Sequence, residues 1–158
     1  LRAEQNIALQ AASSSTDDKD LQNMLSLRVK TQMFPTALEG DRNLNNGMPG
    51  SQFAKWLRSH LKPMGFDCDE VIQEDYGWGF WIKQQKLSVW VAVSYAVGDM
   101  GEIDEMPEWG VAVEFQKNNL DPGQWFKGKD GEAFAKKVFI EIDQLVSSEP
   151  QMDRVEWS

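Results

Sequence analysis

Hydrophobic and polar positions alternate most strictly from Glu74-Asp75-Tyr76-Gly77-Trp78-Gly79-Phe80-Trp81-Ile82 through Leu87-Ser88-Val89-Trp90-Val91-Ala92-Val93-Ser94-Tyr95, on either side of Lys83-Gln84-Gln85-Lys86. Two aromatic and β-branched runs joined by a short polar interval predict a β-hairpin. With Gln84-Gln85 as the turn, Ile82 faces Leu87, Phe80 faces Val89 and Trp78 faces Val91. All six then share one face, because side chains alternate with period two. The opposite face receives Gly77, Gly79 and Trp81 from the first strand, and Ser88, Trp90 and Ala92 from the second. In this register Trp90 lies across from Gly79, and its indole covers the backbone that glycine leaves bare. A longer loop also fits the pattern, since Gln-Gln lacks the Asn-Gly or Asp-Gly signature of a two-residue turn.

The remaining elements follow from the same periodicities. Met24 to Met33 reads as a half-buried strand, with Leu25, Leu27, Val29 and Met33 on one side and Ser26, Arg28, Lys30 and Gln32 on the other. Pro35 ends it. The run to Gly50, with Gly40, Asn45-Asn46-Gly47 and Pro49-Gly50, is a long loop, and that length raises it as a functional candidate. Ser51 is placed as the N-cap of a helix to about Lys62, with Phe53, Leu57, Leu61 and Met64 at helical spacing and Pro63 and Gly65 closing it. Phe66 to Gln73 adds a short strand. Trp109 to Gln116 is another, with Trp109, Val111, Val113 and Phe115 on one side and Gly110, Ala112 and Glu114 on the other. Asp121-Pro122-Gly123 is a turn. A second helix runs from near Asp130 to about Ser148, its stripe being Phe134, Val138, Ile142 and Leu145.

This order predicts an α+β domain: a mainly antiparallel sheet of four to five strands with two helices on one face. Glu149 to Ser158 is either a late strand or a surface tail. Residues 1–23 stand apart. Ala3, Ile7, Ala8 and Ala11 form a weak apolar stripe, and Ser13-Ser14-Ser15-Thr16-Asp17-Asp18-Lys19-Asp20 is linker-like. They read as an appendage to a single domain spanning 24–158.

Charge and composition then narrow the function. The net charge of -9 argues against nucleic acid or anionic membranes as partners and favours a basic protein. One cysteine, Cys68, allows no internal disulfide and fits a reducing cytoplasm. No secretory signal is apparent, and no stretch approaches the roughly 18 apolar residues of a membrane span. His60 is the sole histidine, without a zinc-ligand pattern or a nucleophile elbow, so a helical histidine at the core boundary is the better account. The acidic loop Gly98–Glu108 does not match the calcium-loop pattern, and Gly77-Trp78-Gly79 lacks the third glycine and helix start of a phosphate loop. No metal, cofactor or catalytic residue is assigned.

The distinctive surface is the sheet face that the helices are expected to leave open. It carries Asp75, Trp81, Trp90 and Glu114 among the small residues Gly77, Gly79, Ala92, Ser94, Gly110 and Ala112. Two indoles flanked by carboxylates suit the centre of a protein interface, or stack on a ring or cation of a small molecule. The plainer account is that the face is covered by residues 1–23, by the long loop or by a second copy. Pro49-Gly50, Phe53, Trp56-Leu57, Gly65-Phe66 and Glu74-Asp75-Tyr76-Gly77-Trp78 together resemble small bacterial proteins in which a Trp-Leu helix precedes a Glu-Asp-aromatic-Gly-Trp hairpin. That resemblance spans about residues 25–146 and implies a cytosolic α+β domain, with no catalytic residue carried over. In size, acidity and tryptophan content the chain is also similar to immunity proteins of bacterial toxin systems. The expected function is a non-enzymatic protein-binding domain, an immunity-type inhibitor of a basic partner. The alternatives are a small-molecule binder or enzyme on the same face, and self-assembly into a homo-oligomer.

Overall fold

A computed structural model describes residues 24–96, 106–116 and 128–155. The fold is α+β, built on an antiparallel sheet that has seven strands among the described residues. The four long strands are β1 (Met24–Lys30), β4 (Gly77–Gln84), β5 (Leu87–Ala96) and β6 (Glu108–Phe115). The short ones are β2 (Asp67–Cys68), β3 (Ile72–Glu74) and β7 (Asp153–Val155). The order is β2-β4-β5-β6-β1-β7, with β3 pairing on the same edge of β4 as β2. The expected strand between Phe66 and Gln73 is thus two pieces, and the tail contributes β7. Among the described residues three α-helices accompany the sheet: α1 (Arg42–Asn45), α2 (Ser51–Leu61) and α3 (Gly128–Ser148).

The core forms where the alternation places it. Leu27, Val29, Phe80, Ile82, Val89, Val91, Val93, Trp109, Val111, Val113 and Phe115 join one buried cluster with Phe53, Leu57 and Leu61 of α2 and Phe134, Val138, Ile142 and Val146 of α3. At its centre the fully buried Trp109 meets Phe53 edge-on at 5.9 Å, while Phe34 stacks on Phe53 at 4.6 Å. Gly131 lets α3 reach the sheet, because the Phe115 ring occupies the space a Cβ would need.

The hairpin register differs from the expected one. Gln84 pairs with Leu87, Ile82 with Val89, Phe80 with Val91 and Trp78 with Val93, so the turn is Gln85-Lys86. Each partner is displaced by two residues, which preserves parity and leaves both faces as expected. Trp90 therefore faces Trp81 rather than Gly79, although its indole still lies over Gly79 along the diagonal. The reason is local: Gln85 adopts a φ of 54°, supplying the positive φ that a tight hairpin turn needs.

Around α2 two expectations change. Its N-cap is Gly50, not Ser51. The Glu39 carboxylate accepts from the Gly50 and Ser51 amides at 2.8 and 2.7 Å and from the Ser51 hydroxyl at 2.7 Å, so a distant loop residue caps the helix. Met64 falls in a 3₁₀ turn (Lys62–Met64) and is 48% exposed, because the tighter turn rotates it off the buried stripe.

The long loop is a strap fastened by buried polar groups. Asn45 Nδ2 donates to the Glu74 and Gly77 carbonyls at 3.0 Å each, and its Oδ1 accepts from Gln73 Nε2 at 2.8 Å and from the Met48 amide at 3.0 Å. Trp78 Nε1 donates to the Met48 carbonyl at 2.8 Å. The strap's length is thereby accounted for by clasping the β3–β4 turn and capping α2. Thr31 ties the other end of β1, donating its amide to Pro107 and its hydroxyl to the Gln151 carbonyl at 2.9 Å each.

Replacing Gln85 by glycine is expected to relieve the left-handed strain at the turn and raise stability by roughly 0.5–1 kcal/mol. An increased urea midpoint with an unchanged slope supports this register. An unchanged or lower midpoint argues that the turn is centred elsewhere.

Candidate functional site

The positions left over by the core define the other face of the sheet. One row crosses it from Met24 through Glu114 and Trp90 to Trp81, and the next from Ser26 through Ala112 and Ala92 to Gly79. Trp81 and Trp90 are in contact, with ring centroids 4.9 Å apart and planes tilted by 56°. Trp90 is only 7% exposed yet lies outside the core cluster, and Trp81 is half-buried. The inner indole is thus sheltered by its neighbours on this face, and the outer one meets solvent.

Tyr76 completes the aromatic group. Glu74 pairs with Gly77, so Asp75-Tyr76 is a two-residue turn between β3 and β4. Gly77 at φ 153° opens β4 there, its missing side chain being replaced by the Val93 carbonyl. The turn brings the phenol to Trp90, whose Nε1–H donates to the Tyr76 oxygen. Burial pushes the Tyr76 phenol from 10.0 up to about 12, the negative charges of Glu74, Glu114 and Asp75 add to the rise, and the bond from Trp90 opposes it.

Of the four residues expected here, Trp81, Trp90 and Glu114 sit on the sheet in one row. Asp75 does not: it is exposed in the turn, because β4 begins two residues later than the alternation implied. Its charge still acts on Tyr76. Sequence reasoning missed Tyr76, Glu74 and Ile72. Ile72 pairs with Gly79 and is 41% exposed, and Tyr76 is 45% exposed, so both extend the apolar surface beside Trp81. The signal that could have found the turn was Asp75 two residues ahead of Gly77, both turn-forming types.

Among the described residues, no three histidine, cysteine or acidic side chains come together as a metal group. Glu74, Asp75 and Glu114 have no ion-pair partner among the described residues, whereas Lys83 is held by Asp69 at 2.9 Å and Arg28 by Glu108. The corner therefore combines exposed apolar surface with uncompensated negative charge. Elsewhere, His60 is exposed, its ring 4.3 Å from that of Trp56 and tilted by 40°, with its Nδ1–H donating to the Trp56 carbonyl at 2.8 Å. Cys68 is buried and its thiol is pushed up to about 11, chiefly by desolvation, which keeps it from acting as a thiolate nucleophile. Among the described residues no helix is long and apolar enough to cross a membrane.

Tyr76 gives the corner a pH signature. Its folded pKa lies above the unfolded value, so its contribution to stability is complete below about pH 10 and is lost as pH rises toward 12. Stability measured by urea unfolding should fall across that window, and Tyr76→Phe should flatten the fall. At neutral pH the same variant should cost about 1 kcal/mol, through the lost acceptor for Trp90. An alkaline profile identical in the two proteins would remove Tyr76 from the corner.

No family model, characterised protein or solved structure matches the chain.

Proposed function

We propose that this protein is a non-enzymatic binding domain that docks a basic protein partner on the corner formed by Trp81, Trp90 and Tyr76. The observation that carries this reading is the pairing of a half-buried Trp81, in tilted contact with Trp90, with Glu74, Asp75 and Glu114, which have no ion-pair partner among the described residues. Tryptophan on a paired strand and tyrosine in the tight turn beside it provide contact area at low entropic cost, as the anchors of protein interfaces do. The carboxylates select positive charge and steer its approach, in keeping with the net charge of -9. The indole of Trp81 or the ring of Tyr76 can receive an arginine or lysine face-on. In this reading the protein works in the cytoplasm, and an immunity-type inhibitor of a basic toxin is the form of partner that fits best.

The test is capture from lysate by the full chain, compared with Trp81→Ala and with the triple variant Glu74→Gln, Asp75→Asn, Glu114→Gln. A stoichiometric basic protein should be recovered, released by high salt, and bound on the order of 30-fold more weakly by Trp81→Ala, a loss of about 2 kcal/mol. The triple variant should lose the salt dependence. Equal retention by all three baits, or recovery of the chain alone, contradicts the proposal.

A further inference from the structure

The turn that carries Tyr76 has little support from its own residues. β3 is three residues long and, among the described residues, pairs with β4 alone. Asp75 is exposed, Tyr76 is 45% exposed, and Gly77 at φ 153° follows them with the backbone freedom of glycine. A short edge strand closed by an exposed turn sits at the low end of local stability. Yet Trp90 needs the Tyr76 oxygen at a fixed place, because its indole is only 7% exposed and its Nε1–H donates there.

The support comes from Asn45, which is 3% exposed at the end of α1. Its Nδ2 donates at 3.0 Å to the carbonyls of Glu74 and Gly77, the residues immediately before and after Asp75-Tyr76. Its Oδ1 accepts from Gln73 Nε2 and from the Met48 amide. An asparagine amide offers two N–H donors and an oxygen with two lone pairs, so this side chain uses its whole capacity. Aspartate lacks the donors, and glutamine carries the same amide on a longer stem. Gln73 is in turn held by the strap, its Oε1 accepting from the Asp41 amide at 2.8 Å and its Nε2 donating to the Asp41 carbonyl at 2.9 Å. The strap is itself anchored, by Trp78 Nε1 on the Met48 carbonyl and by Glu39 on the start of α2.

We propose that Asn45 is the positioning residue of the aromatic corner, setting the Asp75-Tyr76 turn so that the Tyr76 oxygen meets Trp90. It acts through the two carbonyls that flank the turn and does not itself meet a ligand. With the turn released, Tyr76 leaves Trp90, and the platform beside Trp81 loses one of its rings. The inference deepens the docking reading and rests on it only for the consequence in binding.

Hydrogen exchange of the indole N–H groups in the full chain at neutral pH separates positioning from stability. Trp109 Nε1–H donates to the Thr31 carbonyl at 3.3 Å inside the core, so its exchange reports opening of the fold as a whole. In Asn45→Ala, exchange at Trp90 should accelerate on the order of tenfold more than at Trp109, the effect of one lost hydrogen bond. Gln73→Met deletes one bond to Asn45 Oδ1 and should show the same selectivity to a smaller extent, which keeps the test decisive if Asn45→Ala does not fold. On a Tyr76→Phe background, Asn45→Ala should add nothing at Trp90. Equal acceleration at the two indoles, or an unchanged Trp90, overturns the proposal, because Asn45 then serves stability alone. As bait, Asn45→Ala should hold the captured partner about tenfold more weakly than the unaltered chain, and equal retention removes the consequence for binding. Capture of nothing by the unaltered chain contradicts the docking reading, while the indole comparison still decides the role of Asn45.

Discussion

Period-two alternation in the four long strands is the constraint on which everything else rests. Along β5, Val89, Val91 and Val93 are fully buried, while Ser88, Ala92 and Ser94 between them are half-exposed. A valine cannot serve both faces, so the choice made at one position fixes its neighbours along the strand and across the ladder. This is why β4, β5, β6 and β1 agree row by row, and why the aromatic residues divide as they do. Trp109 and Phe80 fall on core positions and vanish from solvent. Trp81 and Trp90 fall on the alternate positions and build a surface.

That surface is unusual for how its members support one another. An isolated indole on an open sheet would be exposed on both sides. Here Trp90 is sandwiched by Trp81, Tyr76 and the bare backbone of Gly79, and its one polar atom is satisfied by the phenol. The carboxylates at the rim are not neutralised in the same way, and they raise the phenol's pKa. A rigid apolar platform edged with negative charge results, held by a turn that the Asn45 and Gln73 clasp fastens from behind.

Parity was legible in the sequence because hydrophobic alternation records it directly. Register was not, because shifts by two residues leave every valine and isoleucine on the same face, and only the backbone of Gln85 distinguishes them. The helix α2 was legible from its stripe, but not its cap, since Glu39 lies outside any local capping motif. Asp75 was misplaced and Tyr76 overlooked for one shared reason: the alternation was carried two residues past the start of β4, into a turn. Long-range polar contacts such as Asn45 to Gly77 leave no periodic trace at all.

The most direct measurement compares lysine at two adjacent positions, Phe80→Lys and Trp81→Lys, by equilibrium urea unfolding. Phe80 is fully buried, so a charge there should cost more than about 4 kcal/mol and abolish cooperative folding in a protein of ordinary stability. Trp81→Lys should fold cooperatively and lose about 1–2 kcal/mol, the worth of its aromatic contact and partial burial. Equal losses at the two positions, or a greater loss at Trp81, would contradict the division of the sheet into a core face and an aromatic outer face.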